Sequence, residues 1–194
     1  MRVYLIRHGA TKGNIEKRYV GTTDEPLCAT ADAAIAALSE KLAGQKQPEK
    51  VYVSPMLRAR QTASRLFPEA RQIVVDDLRE MDFGKFEYKN YTELDGDPDY
   101  RRFVDTMCEA PIPDGETKSD FVRRTVDAFD RIISESGKED AVYIVAHGGS
   151  VMSILSTYDE AAKGFYAYIP ENAGAYRADV QTGERTILRE VTKL

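Results

Sequence analysis

The chain reads as an α/β protein, a three-layer sandwich whose mostly parallel central sheet carries helices on both faces. Three observations point that way. Short apolar runs end abruptly in charged residues or glycine, as buried strands do. Stretches with apolar residues at helical spacing follow them. The two kinds alternate through the early part of the chain, which is the pattern of strand–helix–strand units with parallel strands. At 194 residues, 42% hydrophobic and 30% charged, the chain has the size and composition of one globular domain spanning residues 1–194.

In order, residues 3–6 form a short apolar run closed by Arg7, His8 and Gly9, a buried strand. Residues 29–43 carry Ile35, Leu38 and Leu42 at helical spacing, with Gly44 as a stop. Residues 51–53 are a second strand. Ser54 and Pro55 then fit a helix start, with Ser as cap and Pro in the first turn. A third strand covers 73–75. Residues 83–116 break the rhythm with Gly84, Gly96, Pro98, Pro111, Pro113 and Gly115, and are expected to run as an excursion covering the active site, with a short helix near 98–107. Residues 119–136 return to a helix with Val122, Val126, Phe129 and Ile133 on one face. A strand at 141–145, a helix at 148–156, and strands at 173–180 and 186–191 joined by a turn at Thr182-Gly183 complete the pattern.

The net charge of −5 argues against a general nucleic-acid binder and leaves room for a local positive pocket. Cys28 and Cys108 have no metal-type spacing and cannot frame a chain of this length, which suits idle thiols in a reducing compartment. The first apolar run is too short for a signal peptide or a membrane span, so a cytoplasmic protein without membrane association is expected. A monomer or homodimer is expected.

In parallel sheets ligands sit beyond the carboxyl ends of the strands. There this sequence places Arg7 and His8 after the first strand, Arg58 one turn beyond the second, and His147, Gly148 and Gly149 after 141–145. His8 and His147 are the two histidines of the chain. Two arginines beside two histidines make a poor metal site, because guanidinium cations oppose a bound cation. They make a good anion site. Guanidinium matches phosphate oxygens bidentately, and a helix opening at Gly148 aims N–H groups at an anion. Nearby positive charge lowers the pKa of His8 and keeps it neutral, the state in which imidazole can attack a phosphoryl group.

The run Leu5-Ile6-Arg7-His8-Gly9-Ala10-Thr11-Lys12-Gly13-Asn14 resembles the Arg-His-Gly signature of the histidine phosphatase superfamily, which includes phosphoglycerate mutases and small phosphatases. Three further blocks match in the family's order: Ser54-Pro55-Met56-Leu57-Arg58-Ala59-Arg60-Gln61-Thr62-Ala63, Leu78-Arg79-Glu80-Met81-Asp82-Phe83-Gly84 and Ala146-His147-Gly148-Gly149. The resemblance implies a phosphoglycerate mutase-like fold and no metal or organic cofactor. It implies that His8 becomes phosphohistidine, that Arg7, Arg58 and His147 hold the phosphoryl oxygens, and that Glu80 acts as acid and then base. Asn14 and the Gly21 backbone N–H are implied as further donors, with Thr22 in the same substrate loop and Gly148 at the helix start. Asn14 and Gly21 also read plainly as turn residues.

Some positions depart from the family pattern. Ala10 and Gly13 alter the pocket wall, Tyr88 makes the path after Glu80 less regular, and Cys28 leaves Thr30 as the expected helix cap. Phe83, Phe86, Tyr88, Tyr91 and Phe103 serve either as core or as an apolar lid. Asp95, Asp97 and Asp99 resemble the start of a calcium loop, but Tyr100 stands where its glycine is needed. The block 18–27 looks most like small bacterial α-ribazole phosphatases of cobalamin assembly. The expected activity is therefore metal-independent phosphomonoester hydrolysis, with a small phosphorylated molecule as partner and α-ribazole 5′-phosphate as the candidate substrate. The alternatives are a cofactor-dependent phosphoglycerate mutase and a non-catalytic phospho-ligand binding module.

Overall fold

Strand β1 (Arg2–Arg7) is no more than 1% exposed from Val3 to Ile6, so both its faces need apolar cover. In the computed structural model, which describes residues 1–137 and 139–194, that cover comes from a six-stranded sheet and two helical layers. The strands β2 (Lys50–Val53), β3 (Arg71–Val74), β4 (Ala141–Ala146), β5 (Ala175–Gln181) and β6 (Ile187–Lys193) join β1 in the order β3-β2-β4-β1-β5-β6. The first four in that order are parallel; β5 and β6 are antiparallel additions at one edge.

Alternation along β1 and β4 sorts the core into two halves. Tyr4, Ile6, Tyr143 and Val145 point to one face, covered by α2 (Ala31–Leu42) and α3 (Leu57–Leu66). Val3, Leu5, Val142 and Ile144 point to the other, covered by α5 (Lys118–Glu135) and α6 (Gly148–Tyr158). The expected three-layer α/β architecture is therefore present. A single-turn helix, α1 (Lys12–Ile15), precedes α2 and was not expected; Thr11 and Asn14 form its capping box.

Several local expectations fail for physical reasons. Ser54 does not cap α3. That helix begins at Leu57, whose N–H is taken by Asp24 Oδ1 at 2.6 Å. Thr30 gives α2 no side-chain cap; the Cys28 carbonyl accepts from Ala31 N–H instead. The buried stripe of α5 is Phe121, Thr125, Ala128, Phe129, Ile132 and Ile133, leaving Val122 and Val126 half-buried at its margin. Strand β3 starts at Arg71 rather than 73 and is partly exposed, because it lies at the sheet edge.

The stretch after β3 contains 3-10 turns at Asp76–Leu78 and Gly84–Phe86 and the helix α4 (Pro98–Asp105), capped by Asp97. Its own cluster joins Met81, Phe86, Leu94, Phe103 and Ile112 to Phe121 of α5. Phe86 and Phe103 are thus core residues. Tyr91 is exposed, and Tyr88 lies under the Arg18 guanidinium with its hydroxyl on Glu25.

Candidate active site

The sheet register brings the strand ends to one level. Arg7 pairs with Ala146, and Val53 with Val145. The next residues, His8, His147 and Ser54, therefore emerge side by side at the carboxyl edge. Backbone bonds extend the pattern: His8 N–H donates to the Ala146 carbonyl at 3.0 Å and Ser54 N–H to that of Val145 at 3.0 Å. The two imidazoles stand 5.1 Å apart between centroids, edge to face.

Both histidines are buried, and burial is the first cause that holds each well below the usual imidazole range. Arg58 and Arg7 add to the effect at both rings. Both rings are accordingly neutral near pH 7. Nδ1 of His8 lies 2.7 Å from the Gly9 carbonyl oxygen, which can only accept. The ring proton therefore sits on Nδ1, and Nε2 keeps its lone pair for attack. His147 Nε2 lies 2.7 Å from Ser54 Oγ, which also accepts from Met56 N–H at 3.3 Å. Ser54 Oγ can donate to Nε2; in that tautomer His147 Nδ1 carries the ring proton and can donate to a bound oxyanion, and this buried atom has no partner among the described residues.

Arg58 is fully buried in the first turn of α3. Its terminal nitrogens donate to the carbonyls of Val20, Gly21 and Thr23 at 2.8 to 3.2 Å. Arg7 Nη1 donates to the Pro170 carbonyl at 2.8 Å. Burial lowers the pKa of both guanidiniums, yet Arg remains a cation at any ordinary pH. Nε of each is buried and lacks a partner among the described residues. Arg7 Nε, Arg58 Nε and His147 Nδ1 are thus three buried nitrogens near His8 with no partner among the described residues, which suits a tetrahedral oxyanion.

Glu80 follows the turn after β3. Its carboxylate accepts from its neighbour Met81 N–H at 3.0 Å and from Gly149 N–H at 3.3 Å. Burial raises its pKa; those two N–H groups and the Arg58 and Arg7 cations oppose the rise. A carboxyl group shifted upward is suited to giving a proton and then taking one.

The other expected positions divide. Asn14 lies at the site, its Oδ1 accepting from Thr11 N–H at 3.2 Å and from Asn172 Nδ2 at 2.9 Å, so its own Nδ2 is the group left to donate. Gly148 opens α6 beside Arg7; a methyl there would stand 3.6 Å from Arg7 Nε. Gly21 behaves differently from expectation. Its N–H donates to Glu87 Oε1 at 2.9 Å rather than standing free, and its lack of a side chain admits the Met81 carbonyl, which a Cβ would meet at 2.0 Å. Thr22 is exposed on the same loop. Four residues at the site were not anticipated: Ser54 as partner of His147, Asn172, Glu87 and Arg124. Ser54 and Asn172 had local cues, the one straight after the apolar run 51–53 and the other between Pro170 and the next strand signal.

An α/β sandwich with a buried histidine pair, a buried arginine and a half-buried one at its strand ends defines a class of phosphoryl-handling proteins. The profile of the histidine phosphatase superfamily (branch 1) matches residues 3–192, and the chain belongs to that family. It is 29% identical over 168 residues to the metal-independent phosphoserine phosphatase of Arabidopsis thaliana, covering 82% of this chain and 69% of that protein. It is 31% identical over 163 residues to a protein of Enterobacter sp. (strain 638) named "Probable phosphoglycerate mutase GpmB", covering 81% and 74%. Among solved structures, the α-ribazole phosphatase of Shigella flexneri shares the fold with a TM-score of 0.86 at 23% identity, covering 98% of this chain and 96% of that one. No helix among the described residues is long and apolar enough to cross a membrane.

Proposed function

We propose that the chain is a metal-independent phosphomonoester hydrolase that works through phosphohistidine on a small phosphorylated metabolite. One observation carries the reading: His8 holds its Nδ1 on the Gly9 carbonyl and leaves Nε2 for attack, beside buried nitrogens of Arg7, Arg58 and His147 that have no partner among the described residues. Nε2 attacks phosphorus and the bond to the leaving oxygen breaks while Glu80 gives that oxygen its proton. The arginines and His147 stabilise the charge on the three equatorial oxygens. Water then attacks phosphohistidine, Glu80 takes its proton back, and the P–N bond breaks to return neutral His8 and inorganic phosphate.

The names of the relatives span phosphoserine phosphatase, phosphoglycerate mutase and α-ribazole phosphatase, so the substrate calls for a panel. Of these, α-ribazole 5′-phosphate is our first choice, from the appearance of residues 18–27. The test is p-nitrophenyl phosphate hydrolysis with EDTA present, followed by the panel. Wild type is expected to turn over and His8→Ala to lose at least a thousandfold, with acid-labile label trapped at position 8 in the wild type. Equal rates in the two proteins reject the nucleophile. Loss of all activity in EDTA rejects metal independence, and interconversion of phosphoglycerates without phosphate release rejects the hydrolase in favour of a mutase.

A further inference from the structure

Arg124 of α5 is 12% exposed and uses all five of its N–H groups on the protein. Nε and Nη2 grip the Glu116 carboxylate at 2.6 and 2.7 Å. Nη1 donates to the carbonyls of Asp77 and Arg79, both at 2.8 Å, and Nη2 to that of Glu80 at 3.0 Å. Ser150 Oγ donates to the remaining carbonyl, that of Leu78, at 3.3 Å. Four successive carbonyls, 77 to 80, are therefore each held by a side chain, and three of them by one guanidinium.

The fastening continues beyond Glu80. Glu116 N–H donates to the Asp82 carbonyl at 2.9 Å, and Glu116 Oε2 accepts from Asp82 N–H at 3.4 Å. The Arg124 guanidinium also lies over the Phe121 ring at 4.9 Å, and that ring abuts Gly149, whose N–H meets the Glu80 carboxylate. A surface pair would be worth little, but this one is shielded and bidentate, and its free donors all land on the backbone that carries Glu80. Its neighbour Arg123 points outward and pairs with exposed Asp120.

We propose that Arg124, oriented by Glu116, is a positioning residue that sets the Glu80 carboxyl at the leaving-group oxygen. This rests on the acid role given to Glu80 above. Arg124 does not touch substrate; it fixes the main chain on either side of the acid, and a small displacement there misaligns proton delivery. A lysine cannot reproduce it, because one ammonium cannot address a carboxylate and three carbonyls at once.

The test compares kcat/KM for an alkyl ester, glycerol 2-phosphate, with that for p-nitrophenyl phosphate. An alkoxide needs protonation to leave, whereas p-nitrophenolate leaves nearly unaided. Arg124→Lys is expected to lose at least tenfold more on the alkyl ester than on the aryl ester, with Glu80→Gln showing the same bias and Arg123→Gln showing none. A fold defect that merely lowers the active fraction reduces both rates by one factor, and that result for Arg124→Lys beside a biased Glu80→Gln overturns the inference. An unbiased Glu80→Gln instead overturns the acid role and takes this inference with it. Should Arg124→Lys fail to fold, Glu116→Gln carries the comparison: it leaves Arg124 in place, removes the charge that orients it, and is expected to show the bias in smaller measure. Its absence there overturns the proposal equally.

Discussion

A methyl group at position 149 would stand 2.5 Å from Glu80 Oε1 and 2.8 Å from Phe121 Cζ. Neither neighbour can move away freely, since Phe121 is buried and Glu80 is fastened at its backbone. Gly149→Ala is therefore expected to cost about 1–3 kcal/mol of stability and to lower kcat more than it raises KM. Urea unfolding and steady-state kinetics check the two parts; an unchanged kcat would show that Glu80 does not need its present place. At this scale the sequence was informative where chemistry and position coincide. Arg7, His8, Arg58 and His147 are polar residues straight after apolar runs, which buried strands explain badly and ligand sites explain well. Arg124 was opaque, because one arginine in a charged helix looks solvated until the phase of the helix is known. The observed stripe through Phe121, Thr125 and Ala128 puts Arg124 at its border, a shift from the face built on Val122 and Val126. Gly21 was misjudged because its N–H finds a carboxylate sixty-odd positions away, at Glu87.

At the scale of elements, the loop from Val20 to Glu25 is tied from both sides. Arg58 donates to three of its carbonyls, while Glu87 Oε1 accepts from the N–H groups of Gly21 and Thr23 at 2.9 and 3.0 Å. Asp24 meets the start of α3, and Glu25 accepts Gly13 N–H at 3.0 Å. Glu87→Ala leaves two loop amides without their acceptor and loosens the carbonyl seat of Arg58. We expect kcat/KM to fall about 10–100-fold with inhibition by vanadate weakened in parallel, and Glu87→Gln, which keeps an acceptor oxygen, to recover most of it. Vanadate affinity untouched in Glu87→Ala would detach the loop from the anion site. Strands were legible here because short buried runs are bounded by charge. Helix starts were less so: the acceptors at α2 and α3 are a backbone carbonyl and a distant Asp24, and neither obeys the local capping pattern that Ser54 and Thr30 suggested.

For the molecule as a whole, the architecture was readable because alternating strand and helix signals admit few topologies, while the sheet order was not, since no local pattern says which strands pair. The buried site also marks the stability of the entire protein with a pH dependence. His8 and His147 stay neutral when folded, but take up protons in the unfolded chain below about pH 6.5, the ordinary imidazole value. The unfolded state then binds more protons, so stability present above pH 6.5 is lost as pH falls, by about 1.4 kcal/mol per unit for each ring. Glu80 acts in the opposite sense: its raised pKa favours the folded state in acid, and that contribution declines as pH rises from about 4.5. Urea midpoints between pH 7.5 and 5 should fall in the wild type and fall less in the His8→Asn, His147→Asn double variant; identical slopes would mean that the rings are not neutral in the fold. The order of the strands has a consequence in time as well. Strand β1, at 2–7, has its two neighbours at 141–146 and 175–181. The strand that leads into His8 must therefore remain unpaired until distant parts of the chain arrive, and loop-closure entropy makes that a slow, late contact. Recovery of activity on refolding should lag helix formation, which would make turnover itself a reporter of the last pairing step.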